Sequence, residues 1–198
     1  MKRHRFNFAA EDLNRLRRLV GSEWQYVAGE TLAPDFNTPV DVIVGTTQGS
    51  LRVVSDIATA DFQYGEAMTY SVLTTSDDIS GFTVAARHGN VYVQHQHERL
   101  IEVLIVRETI TENEDGEDSW EYTTDIGVVF VLSHGAIAIA KGSHHTEMLL
   151  VRMAPSVSEL DIPDRTIEWA DDLTTRHHCT RELTGLGSSD AQLQVLLT

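Results

Sequence analysis

The sequence predicts a mainly β fold, an antiparallel sheet arranged as a barrel or a sandwich, with a short N-terminal helix. Counted strictly by element type, the class is α+β. Short segments rich in β-branched residues recur from about residue 23 onward, and Gly, Asp or Ser bound them. Asp115-Gly116, in a polar stretch between two such segments, is typical of a hairpin turn. The runs 101–106 and 128–132 are almost continuously apolar, which indicates strands covered on both faces.

A short amphipathic helix is predicted near the N-terminus, over residues 9–20. Glu11 and Asp12 lie in its first turn and basic residues follow, an order that suits the helix dipole. Gly21 is the expected stop. The apolar residues that recur at helical spacing are Ala9, Leu13, Leu16 and Val20.

The strands are predicted from alternating or continuous apolar segments between turn signals. Ser133-His134-Gly135 is interpreted as a second tight hairpin, and His88-Gly89-Asn90 as a third. The predicted strands span residues 42–46, 51–57, 67–74, 82–87, 91–96, 100–111, 120–124, 128–132, 136–140 and 146–153.

The chain of 198 residues is predicted to form a single domain. Within it we distinguish a basic N-terminal helix segment (1–21), a β-rich core (22–154) and a C-terminal extension (155–198). The extension is expected to be partly helical, with a second short helix over 165–178. It is too short to build a core of its own, so we expect it to pack on the body.

The charge distribution excludes several classes of function. The net charge is −15, and residues 1–18 carry +4, which leaves −19 on the rest. A general nucleic-acid binder would need a basic face, so no nucleic-acid partner is expected. No apolar run approaches the ~18 residues of a membrane helix. The basic residues 1–5 lack the apolar stretch typical of a signal peptide, and a single Cys cannot form an internal disulfide, so a cytoplasmic protein is expected. The basic segment is expected to dock on its own body or on a sister subunit, or else to contact an anionic partner.

One segment concentrates the negative charge, with six carboxylates in ten residues from Glu112 to Glu121. The plain interpretation is a solvated hairpin end. The functional interpretation is a contact surface for a basic partner, because aromatic side chains beside the carboxylates supply anchoring area. The candidate partner-binding residues are Glu112, Glu114, Asp115, Glu117, Asp118 and Trp120.

Nine histidines suggest a metal site as the alternative. Two imidazoles two residues apart on a strand share a face, so His95 and His97 could bind one ion. Glu102 and His145 complete a set suited to Fe, Mn or Zn. The plain interpretation is that the two histidines lie on a solvent-facing edge among polar residues.

The spacing of these residues resembles the first motif of the cupin family, small β-barrels that are often metal-dependent and include dioxygenases and isomerases. Gly89 is followed at that spacing by His95-x-His97 and Glu102, and residues 142–145 faintly resemble the second motif. Thr109 stands where the family has a glycine, and Ala140 where it has a proline. The resemblance implies a metal held by His95, His97, Glu102 and His145.

Two functions from different classes follow. The favoured one is a non-enzymatic binding module, similar in role to an inhibitor or an immunity protein, whose acidic surface recognises a basic protein such as a nuclease or a toxin domain. It needs no cofactor, and sheet edges offer a route to homo-oligomers. The alternative is a cupin-like metal-dependent β-barrel enzyme.

Overall fold

The computed structural model of the chain describes residues 1–29, 36–38, 41–61, 67–80, 90–92, 97–142, 148–162, 167–170 and 173–186. These ranges contain one α-helix, α1 (Ala10–Leu19), and a short 3-10 turn, Val157–Glu159. The strands are β1 (Lys2–Phe6), β2 (Trp24–Gly29), β3 (Phe36–Thr38), β4 (Asp41–Thr46), β5 (Gly49–Asp61), β6 (Ala67–Ser76), β7 (Asn90–Tyr92), β8 (Leu100–Glu114), β9 (Glu117–Leu132), β10 (Gly135–Lys141), β11 (Leu149–Ala154), β12 (Ile167–Ala170) and β13 (Thr175–Gly185).

The strands form two sheets, which confirms the mainly β class. The larger sheet has eight strands; seven follow the order β12-β13-β8-β9-β10-β11-β3, and β1 pairs with β9. The smaller sheet has the order β6-β5-β4-β2-β7. Neighbouring strands are antiparallel except for β1 and β9, which are parallel.

The main hydrophobic core joins the two sheets, with Val53 of β5 and Phe130 of β9 among its members. A second cluster holds Val129 of β9 and Ala138 of β10, and Leu160 from the chain beyond β11 packs there. Successive residues of one strand point to opposite faces, so Val129 and Phe130 show that β9 is covered on both faces. The continuous apolar runs predicted this arrangement.

Helix α1 lies where the sequence predicts it, but it buries a slightly different stripe. Leu16 and Leu19 are fully buried in the main core, whereas Val20 is 38% exposed. The helix ends at Leu19, so Val20 takes an extended conformation and leaves the helical face. Gly21 follows with a positive φ of 90°, the conformation expected of a helix stop.

The basic N-terminal segment docks on its own body. Residues 2–6 form β1 and pair in register with β9 from Trp120 to Thr124. Arg3 lies 3.4 Å from the carboxylate of Glu121. Farther along, Arg18 of α1 pairs with Asp77. Self-docking was one of the two predicted interpretations.

The helix predicted over 165–178 is wrong. Strand β12 and the start of β13 occupy this part of the chain, and β13 pairs with β8 over eleven residues. Burial in β13 alternates: His177 and Cys179 are buried while His178 and Thr180 are exposed. This period-2 pattern and the long pairing with β8 override the local helical spacing.

The two tight hairpins predicted after residue 100 are present. Leu132 pairs with Gly135 across Ser133 and His134, and Glu114 pairs with Glu117 across Asp115 and Gly116. The predicted strand over 82–87 and the turn at 88–90 fall outside the described residues except for Asn90, which begins β7. In the part of the chain that is described, no helix is long and apolar enough to cross a membrane.

Candidate functional site

The hairpin between β8 and β9 ends in a tight turn that carries much of the acidic segment. Asp115 and Gly116 have positive φ values of 52° and 88°, the pattern of a two-residue type I′ turn. The backbone N–H of Gly116 donates to Oδ1 of Asn113 at 2.9 Å, which orders the turn. We call residues 112–121 the acidic tip.

Four carboxylates of the acidic tip have no basic partner among the residues that the structure describes: Glu114, Asp115, Glu117 and Asp118, the last of which accepts a hydrogen bond from the neutral amide of Asn113. Glu114 and Glu117 are directly opposite in register, and like charges in that arrangement destabilise a hairpin. Glu112, by contrast, accepts a hydrogen bond from Ser119 Oγ at 2.5 Å. Uncompensated charge is therefore concentrated at the turn itself.

Two further strands bring aromatic side chains to the acidic tip. The pairing of β13 with β8 places His177 opposite Glu112, and β12 places Trp169 opposite His177. The rings of Trp169 and His177 stack with centroids 4.7 Å apart and planes 11° apart. The ring of Trp120 lies 5.9 Å from His177 on a tilted plane.

The imidazole of His177 is thus held between aromatic rings and a carboxylate. Its Nε2 is 4.0 Å from Oε2 of Glu112, and the side chain is only 6% exposed. Trp169 in turn keeps 36% of its surface exposed. The site combines a flat, half-exposed aromatic surface with unpaired carboxylates, which together suit a cationic, partly apolar ligand surface.

The sequence pattern pointed to Trp120 and the carboxylates of this site but not to Trp169 and His177. Both residues were placed in the helix predicted over 165–178. A helix there would not pair with β8, so the prediction gave no reason to place these residues near the acidic tip. The alternation of His177, Cys179 and Arg181 with solvent-facing residues is the strand signal that would have found them.

A second cluster of charged side chains is buried within the fold, on strands of the larger sheet. Nε of Arg181 donates to Oε2 of Glu108 at 2.5 Å, and both side chains are almost fully buried. Arg181 also donates to the carbonyl of Gly142 at 2.9 Å. Nearby, Lys141 of β10 donates to the carbonyl of Ser71 in β6 and so joins the two sheets. We call Glu108, Arg181 and Lys141 the buried ion cluster.

Burial shifts the pKa values of two groups in this region. It lowers the pKa of Lys141 to about 8, although the negative charge of Glu108 works against this shift. It raises the pKa of the Cys179 thiol to about 12, and the charge of Glu108 adds to that increase. The thiol is therefore neutral at pH 7, a state that makes it a poor nucleophile.

Ser133 and His134, in the turn between β9 and β10, form a third polar group with Glu98, which precedes β8. Ser133 Oγ and the backbone N–H of His134 both donate to Oε2 of Glu98. Burial raises the pKa of Glu98, but these hydrogen bonds and the His134 imidazole outweigh it, so that the pKa lies below its usual value. The serine is bonded to the carboxylate and not to the imidazole, so this arrangement orders the turn.

The predicted metal ligands are only partly within the described residues. His95 and His145 fall outside them. His97 lies in a turn with φ of 80°, is largely exposed, and has Nδ1 3.8 Å from Oε2 of Glu23. Glu102 lies exposed on β8, next to a register shift. Among the described residues, no three His, Cys, Asp or Glu side chains are grouped to hold a metal ion, and the metal set stays a prediction.

Comparison of the chain with models of known protein families, with curated proteins and with solved structures finds no match.

Proposed function

We propose that this chain is a non-enzymatic protein-binding module that recognises a basic partner protein through the acidic tip and the adjoining rings of Trp120 and Trp169. One observation carries the proposal: Glu114 and Glu117 face each other across the hairpin, and no basic side chain of the described residues neutralises them. This arrangement costs stability within the chain. A cationic partner surface would remove the repulsion on binding.

The rings of Trp120 and Trp169 would contribute binding affinity that the exposed carboxylates alone do not provide. Exposed ion pairs contribute little affinity, whereas tryptophan side chains contribute much of the energy of many protein interfaces. Trp169 is half-exposed beside the carboxylates, and an arginine or lysine of the partner could lie over its free surface. The carboxylates would then steer the partner and the indoles would hold it.

The test compares three immobilised proteins as baits for the partner. They are the wild type, a tip variant (Glu114→Gln, Asp115→Asn, Glu117→Gln) and a control variant with the same charge change on exposed residues elsewhere (Asp56→Asn, Glu159→Gln, Asp161→Asn). We expect a basic protein to be retained by the wild type and the control but not by the tip variant. Identical retention by all three baits would contradict the proposal.

A further inference from the structure

Strand β6 ends the smaller sheet, and side chains from other elements bond to its outer edge. The backbone N–H of Thr75 donates to Oδ1 of Asp12 at 2.8 Å, and its carbonyl accepts from Nη1 of Arg15 at 3.0 Å. Farther along β6, the carbonyl of Ser71 accepts from Lys141. These backbone groups of Ser71 and Thr75 therefore point away from β5, the strand that pairs with β6.

Leu73 lies midway between these two residues and shares their orientation. In an antiparallel pair, alternate residues direct both their N–H and their C=O to the same edge, and β5 and β6 pair without a register shift. The N–H and C=O of Leu73 therefore point to the outer edge as well. Among the described residues, no group bonds to either of them there. This position thus presents one hydrogen-bond donor and one acceptor side by side.

A cleft of about 150 Å³ lies against this edge of β6. Residues 72–74 form one wall, and the N-terminal segment forms the other with Phe6, Asn7, Ala9 and Asp12. The side chain of Leu73 is buried in the main core, so Leu73 contributes its backbone edge to the wall. Oδ1 of Asn7 is buried and has no hydrogen-bond partner among the described residues. A volume of this size holds a molecule as large as benzene.

The polar groups around the cleft define the hydrogen bonds that a ligand must supply. The N–H of Leu73 needs an acceptor, whereas the C=O of Leu73 and Oδ1 of Asn7 each need a donor. A primary amide has this set of groups. Its oxygen and the N–H on the same side pair with Leu73 together, and its second N–H meets Asn7 once that side chain rotates toward the cleft. Asp12 and Arg15 pair with each other at 3.3 Å, so their charges do not favour an ionic ligand.

We infer that the cleft between β6 and the N-terminal segment binds a small, neutral primary amide with a compact apolar substituent. The amide completes the row of hydrogen bonds along β6, between those to Ser71 and those to Thr75. The substituent packs on Phe6 and Val72. No residue of the acidic tip, which the structure describes in full, lines the cleft, so the site is independent of the proposed function.

Two isomers test the inference with the intact chain. Isobutyramide is a primary amide, and N-methylpropionamide has the same formula but carries its N–H on the side opposite the oxygen. The second compound therefore cannot bond to both backbone groups of Leu73 at once. Both are titrated into isotopically labelled wild type, and NMR follows the amide signal of Leu73. We expect isobutyramide to move this signal and to bind at least about tenfold more tightly than its isomer.

A pair of variants tests where the amide binds. Ala9→Trp places a large ring in the wall of the cleft, and Ala10→Trp places the same ring on the next residue, which is exposed and does not line the cleft. We expect Ala9→Trp to abolish the shift caused by isobutyramide and Ala10→Trp to retain it. Equal affinity of the two isomers for the wild type, a Leu73 signal that does not move, or the same effect of both variants would overturn the inference. The isomer comparison uses the wild type, so it decides the outcome even if Ala9→Trp fails to fold.

Discussion

Strand β8 carries two glutamates in contrasting environments, Glu108 in the interior of the fold and Glu114 at the end of the strand. Glu108 is buried and is bonded to Arg181, with Lys141 nearby. Glu114 lies beside the turn, faces Glu117, and has no basic partner among the described residues. A buried charge without a partner costs several kcal/mol, whereas water screens an exposed one. The buried ion cluster is therefore part of the folded interior, whereas the charge of the acidic tip lies at the surface, where the proposed function uses it.

The largest loss of stability is expected from breaking the buried ion pair between Glu108 and Arg181. Arg181→Met leaves Glu108 buried without its closest partner, and we expect the free energy of unfolding to fall by about 3–5 kcal/mol. Urea unfolding measures the change. The double variant Glu108→Gln/Arg181→Met removes the isolated charge and should recover part of the loss. A loss below about 1 kcal/mol for Arg181→Met would contradict the structural role of the pair.

Replacing Lys141 should give the next largest change in the free energy of unfolding, and the size of this change should depend on pH. Its pKa of about 8 in the folded chain lies below the usual lysine value of 10.5, so between these values the unfolded chain binds more protons. The contribution of Lys141 to stability therefore rises with pH across this window, by on the order of 3 kcal/mol.

The control for this effect is Lys141→Met, measured by urea unfolding at pH 7.5 and pH 10. Other groups titrate in both proteins, so the difference between the two pH profiles isolates Lys141. We expect the wild type to gain stability relative to Lys141→Met as the pH rises. Parallel profiles for the two proteins would contradict a lowered pKa for the Lys141 amine.

Neutralising the acidic tip should change the free energy of unfolding little, and any change should be an increase, unlike the loss expected for Arg181→Met. The tip variant removes the repulsion between Glu114 and Glu117, so we expect its unfolding free energy to match that of the wild type or to exceed it by up to about 1 kcal/mol. The same urea assay compares it with the control variant. A loss larger than about 1 kcal/mol would assign these carboxylates to the fold and weaken their proposed role in binding.

The smallest expected effect concerns metal content. Under the proposed function, His95→Ala/His97→Ala should leave the transition-metal content of untagged protein, purified without chelators, unchanged. Plasma mass spectrometry provides the measurement. A near-stoichiometric metal in the wild type that is lost in the variant would favour the cupin-like enzyme over the binding module.

The sequence predicted features that depend on local patterns. Helix α1, the Asp115-Gly116 turn and the doubly covered strand around Val129 all follow from periodicity or turn chemistry within a few residues. The acidic tip was also found this way, because its six carboxylates lie within ten residues of the chain.

Features that depend on distant pairing were not predicted. Arg181 and Glu108 are 73 residues apart, and neither has a local signal that names its partner. Asp12 was assigned to the helix dipole, yet it also accepts hydrogen bonds from the backbone and hydroxyl of Thr75 in β6. Trp169 and His177 were missed for the same reason, since the strand conformation of His177 is set by pairing with β8 and that of Trp169 by pairing with β13.

The salt dependence of partner affinity tests the central claim most directly. A basic protein retained by the wild-type bait is purified, and its Kd is measured against ionic strength for the wild type, the tip variant and the control variant. We predict that the tip variant binds more weakly at low salt and shows a shallower salt dependence than the other two, because screening acts on the charges it lacks. Superimposable curves for all three proteins would contradict the claim that the unpaired carboxylates of the acidic tip serve recognition.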